Sequence, residues 1–246
     1  MQNNTLSVLN KYLNAASFLS SMKHSPIMTV VVLVSFLLAQ FMGIGILYKY
    51  IDPLKSAETG KTEFKELPIG ERPPVDEKTS FLPIIIAILA GTGLFLLLLR
   101  YNLTLLWKLW FLFAVVMALT VAWSAFLWKG LAFVLALLFG LWKVFRPNVW
   151  VHNLTELFVY GGLAVIFVPL FNLFSAIILL VLISVYDAYA VWKSKHMIEM
   201  AKSQAKAHIF AGLMIPYQVG KIMRKPQPGM KVKRIRTAVL GGGDIG

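Results

Sequence analysis

Residues 172–192, NLFSAIILLVLISVYDAYAVW, decide the class of fold. From Leu173 to Val185 the only polar side chains are Ser175 and Ser184, and two residues later comes Asp187. About 20 residues of this composition cross the hydrocarbon of a bilayer as a helix. An ionised carboxylate within such a helix costs at least about 2.5 kcal/mol, so its presence there points to a task.

The rest of the chain has the same character. Apolar residues make up 58% of it and charged residues only 14%. Five further apolar segments read as spans, at 27–48, 81–99, 106–128, 130–145 and 149–170, with the fourth short. The fold class is therefore all-α: a polytopic transmembrane helical bundle of six complete spans and the start of a seventh. Residues 1–192 form the N-terminal bundle, 193–236 a basic loop, and 237–246 the opening of the seventh span. An interfacial helix is expected over residues 6–22, ahead of a first span that is retained rather than cleaved. Residues 49–79 carry seven acids, six bases and four prolines, Pro68, Pro73 and Pro74 among them, and read as an exposed, poorly structured loop.

The net charge of +13 lies in connections beside apolar segments, the footprint of membrane orientation and not of nucleic-acid binding. Lys11 and Lys23 precede the first span, Arg100 and Lys108 flank the second connection, and Lys143 and Arg146 flank the fourth. Residues 193–237 hold eleven Lys/Arg against the single acid Glu199. Every even connection is basic, which puts the N-terminus and the 193–236 loop in the cytoplasm.

Only four acidic residues follow Lys78: Glu156, Asp187, Glu199 and Asp244. Glu156 reads as a solvated or snorkelling residue near the cytoplasmic end of the fifth span. Asp187 lies five residues inside the end of the sixth span, about 8 Å. A seventh helix starting near Thr237 would carry Asp244 about 10 Å in from the same face. Two carboxylates at one depth can share a proton and work as base and acid together. One activates water against a peptide carbonyl while the other protonates the carbonyl oxygen. No metal or organic cofactor is needed. Gly241, Gly242 and Gly243 let another backbone approach Asp244, and an extended substrate strand could pair there. Tyr186 offers a hydroxyl beside Asp187.

Tyr186-Asp187 near the end of a sixth span, a long hydrophilic loop, and then Gly241-Gly242-Gly243-Asp244 resemble the GxGD intramembrane aspartyl proteases, the presenilins and signal peptide peptidases. VYDAYAVWKSKHMI, residues 185–198, looks most like the archaeal presenilin homologues. The resemblance implies nine spans, catalysis by Asp187 and Asp244, and hydrolysis of peptide bonds within transmembrane helical substrates in the lipid bilayer. A cytoplasmic loop between the catalytic helices matches the presenilin branch and implies substrates with their N-terminus outside. The chain stops at Gly246, before the family's remaining helices and their Pro-Ala-Leu motif. That implies a fragment inactive alone: either the sequence is cut short, or a separate C-terminal polypeptide supplies spans seven to nine.

Other chemistries fit poorly. The chain has no cysteine, which excludes disulfides, thiol catalysis and thiolate metal sites. His24, His152, His196 and His208 form no HExxH or other ligand spacing, and no serine has a glycine-rich nucleophile context. The rival from another class is an ion- or proton-coupled transporter or channel subunit with Asp187 as relay.

Overall fold

The computed structural model describes residues 26–146, 148–207, 211–216 and 237–241. Helix α1 covers Pro26–Tyr50 and opens on a proline, whose missing N–H costs nothing in a first turn. A short α2, Pro53–Thr59, follows, capped by Asp52 Oδ1, which accepts from the amides of Leu54 and Lys55, and closed by Gly60 at φ 68°. Ile51 and Phe64 then form an isolated antiparallel bridge. The 49–79 connection is thus more ordered than its composition implies, because Asp52 and Pro53 supply a complete helix start.

The main helices are α3 (Phe81–Arg100), α4 (Thr104–Ser124), α5 (Lys129–Phe145), α6 (Val149–Phe167) and α7 (Leu173–Trp192). Asn148 caps α6 through the Trp150 amide and Asn172 caps α7 through the Ser175 amide. A 3₁₀ turn, Val168–Leu170, links these two helices. Among the described residues five helices are long and apolar enough to cross a membrane: α1, α3, α4, α6 with its 3₁₀ turn, and α7. The expected fourth span is α5, which has 17 residues. The third expected span ends earlier than its apolar run, at Ser124, and a turn occupies 125–128.

Helices α4 and α6 are central. Helix α6 packs on α1, α4 and α5, whereas α3 and α7 lie outside this group and pack on each other. Ser175 Oγ also bonds the Glu77 carbonyl across that outer pair. Many large apolar side chains stay exposed, as lipid-facing surfaces must. Small residues set the close approaches. Gly161 and Gly162 of α6 lie against Gly43 and Ile46 of α1 and Ala118 of α4. A Cβ on Gly162 would intrude on the Ala118 carbonyl oxygen, and backbone cannot yield as a side-chain tip can. Gly162→Ala is therefore expected to destabilise the bundle by at least about 1–3 kcal/mol. Gly45→Ala, which meets open space, should be neutral or slightly stabilising. Thermal melting in detergent separates the two.

Beyond Trp192 the chain departs from a plain loop. It forms α8 (His196–Ala207) and β1 (Gly212–Pro216). Thr237–Gly241 is β2, a strand and not the first turn of a seventh helix. The two strands pair antiparallel, with Gly212 opposite Gly241 and Pro216 opposite Thr237. Thr-Ala-Val-Leu-Gly alternates β-branched residues with Ala and Leu, and burial of Leu240 beside Leu213 favours the extended form over helix. The all-α bundle thus carries a small β-ribbon.

Candidate active site

Asp187 stands five residues, about 8 Å along the axis, before the end of α7. Its side chain is half-buried and makes no hydrogen bond or ion pair among the described residues. Among the described residues the carboxylate therefore has no competing partner.

The Tyr186 hydroxyl is already engaged. It lies 3.1 Å from His196 Nε2, at the start of α8. His196 Nδ1 lies 2.5 Å from Ser194 Oγ, which in turn reaches the carbonyls of Tyr189 and Ala190 at 3.4 Å. One tautomer satisfies the whole chain: Tyr186 donates to Nε2, Nδ1–H donates to Ser194, and Ser194 donates to the end of α7. The cluster closes the α7–α8 turn, where Lys195 adopts φ 57°. His196 was not predicted to contact the motif, because its ten-residue offset from Tyr186 fits no helical spacing.

Gly241 is the last described residue of the glycine run. Gly242, Gly243 and Asp244 lie outside the described residues, as does the expected interfacial helix at 6–22. Strand β2, which carries Gly241, and helix α7, which carries Asp187, have different main neighbours. Helix α7 packs on α3 and α8, and the ribbon packs on α1 and α6.

The ribbon is docked at the N-terminal end of α6. His152 Nε2 lies 2.8 Å from the Gly212 carbonyl oxygen. Asn153 clamps Met214: its Nδ2 donates to the Met214 oxygen at 2.7 Å, and its Oδ1 accepts from the Met214 amide at 2.9 Å. Successive spans run in opposite directions, so the start of α6 and the end of α7 lie at the same membrane face. His152 is three residues past the start of α6, about 4.5 Å along its axis, and Asp187 is five residues, about 8 Å, before the end of α7. Gly241, opposite Gly212, is one strand spacing, about 4.8 Å, from the strand that His152 holds.

Glu156 corrects the sequence reading. It is 2% exposed, and Lys143 Nζ bonds its Oε1 at 2.5 Å. Lys143 is 3% exposed and also lies 5.8 Å from the Phe111 ring. Their places, near the end of α5 and about two turns into α6, bring the two side chains face to face, so neither snorkels. Among the described residues no cluster of three or more His, Asp or Glu could hold a metal ion.

A model of the family described as signal-peptide peptidase, presenilin aspartyl protease matches residues 71–245. No curated protein and no solved structure gives a significant match. The matched region is well over half of the chain and takes in Tyr186-Asp187, both strands and the Gly-Gly-Gly-Asp run. With membrane-competent helices and an unpaired carboxylate one and a half turns inside one of them, the chain belongs to the signal-peptide peptidase and presenilin family of intramembrane aspartyl proteases, which act on transmembrane substrates in the bilayer.

Proposed function

We propose that Asp187 and Asp244 form an acid/base pair that hydrolyses peptide bonds within transmembrane segments, in the manner of the archaeal presenilin homologues. The observation that carries this reading is the docking of β2. The ribbon is held at the N-terminal end of α6, which supports an approach of the chain to the C-terminal end of α7, and Asp244 follows Gly241 by three residues. Adjacent carboxylates hold one proton between them. The ionised member takes a proton from water as it attacks the scissile carbonyl, and the protonated member gives its proton to the carbonyl oxygen. The roles reverse when the tetrahedral species collapses and the amine leaves.

The ribbon supports a route for substrate binding. Because Gly212 and Met214 direct their backbone groups to α6, Leu213 and Ile215 face β2. Thr237, Val239 and Gly241 then turn their N–H and C=O groups to the far edge. An unwound substrate segment can add there as a third strand, and Gly242 and Gly243 leave room beside Asp244. The basic 193–236 segment and N-terminus favour a cytoplasmic site, which suits substrates whose N-terminus lies outside.

The test uses the full reading frame in liposomes with a helical transmembrane substrate. Wild type is expected to cleave it and Asp244→Ala is not. Cleavage retained in Asp244→Ala, or ion flux without any peptidolysis, would sink the reading.

A further inference from the structure

We propose that Asn153 and His152 are positioning residues for this reaction: α6 acts as the strand that fixes the register of the ribbon carrying the Gly-Gly-Gly-Asp run. The inference rests on the aspartyl-protease reading above. It does not require either residue to touch substrate.

A two-stranded ribbon alone is marginally stable. This one is closed by 20 intervening residues, 217–236, so its turn does not set its register. Something else must. The Asn153 amide presents one donor and one acceptor to Met214, the same pair a neighbouring strand would offer. His152, one residue earlier, takes the Gly212 carbonyl on the same edge. Met214 and Gly212 are two apart, so both bonds are met in a single register. A one-residue slip would turn Leu213 and Ile215 to that edge and both sets would fail.

The ribbon's face agrees with its edge. Leu213 is 2% exposed and packs with Ala39 of α1 and Tyr160 of α6, and Leu240 and Leu157 close over it. Leu213 and Leu240 are direct partners, so the register that buries one buries the other. The anchor is itself braced. Glu156, bonded to Lys143, places Oε1 3.9 Å from His152 Nε2, one helical turn along α6. Gly212, held by His152, is the residue opposite Gly241. The geometry therefore ties the approach to Asp244 to α6, whereas Asp187 rides on α7. Misplacement by about 1 Å of a catalytic group can cost a hundredfold in rate, so slack in this anchor acts on catalysis before it acts on the fold.

The experiment compares wild type, Asn153→Ala, His152→Ala, His152→Gln and Asp244→Ala in the full reading frame in liposomes. Cleavage kinetics and amide hydrogen exchange are read together. Asn153→Ala and His152→Ala are expected to lower kcat at least about tenfold with KM changed by less than about threefold. Exchange should rise in 211–216 and 237–241 while α4, α6 and α7 keep their protection. His152→Gln, whose side-chain amide can put a donor where Nε2 sits, should recover most of the rate. Wild-type kcat and wild-type exchange in Asn153→Ala overturn the anchor. Loss of protection spreading through α4 and α6 overturns it too, since the residues then serve the fold at large. Cleavage that persists in Asp244→Ala overturns the protease reading itself, whatever Asn153 does.

Discussion

Lys143→Met is expected to destabilise the folded bundle by about 3–5 kcal/mol, measured by reversible denaturation in detergent. The ammonium and the Glu156 carboxylate are both almost fully buried and bond directly. Removing the lysine leaves a buried carboxylate without its bonded ammonium, with only His152 Nε2 at 3.9 Å beside it among the described cationic groups, and that desolvation sets the size of the loss. The same physics predicts recovery. In Lys143→Met combined with Glu156→Leu no charge is left to desolvate, and the double variant should be within about 1 kcal/mol of wild type or more stable. A double variant as unstable as Lys143→Met alone would mean that side-chain packing, and not the ion pair, fixes α5 on α6.

Asp187→Ala is expected to lower kcat by at least about 10³-fold, the upper range for a positioned general acid or base, since the proposed pair uses it in both steps. KM should change little, because in the proposed mechanism the carboxylate acts on the reacting groups in the transition state and not on the bound helix. Stability should also hold. The Asp187 side chain is half-buried and makes no hydrogen bond or ion pair among the described residues, so truncation leaves no orphaned partner. Loss of rate at constant melting temperature marks a chemical role. Loss of both would mark Asp187 as an interhelical bond.

The sequence makes the bundle legible because lipid imposes so simple a rule. A run such as 172–192 is long and apolar, and Asn172 marks its start, so element and boundary can both be read. The depth of Asp187 follows from counting along one helix. Contacts between helices are harder. The seam of Gly161, Gly162 and Ala118 is ordinary composition until α1, α4 and α6 are seen to meet there. Lys143 was counted as a surface charge because no local pattern shows that Glu156 faces it across the turn. The ribbon was least visible. Gly-Leu-Met-Ile-Pro and Thr-Ala-Val-Leu-Gly are five-residue runs 20 residues apart, and what makes them strands is each other, Leu157 and Tyr160, and the Asn153 amide. Thr237 accordingly read as the first residue of a helix. For the candidate site, Tyr186, Asp187 and Gly241 stand where the motif that the sequence resembles has them, but the bond between Tyr186 and His196 depends on the fold of the α7–α8 turn.

The central claim is that Asp187 and Asp244 act as one unit, and a double-mutant cycle on cleavage rate tests it most directly. Asp187→Ala, Asp244→Ala and the double variant are compared in the full reading frame in liposomes with one helical substrate. A shared-proton pair predicts that either single change abolishes the pathway, so the double variant is no slower than the slower single. Losses that multiply, or a single variant that keeps the wild-type rate, would contradict it.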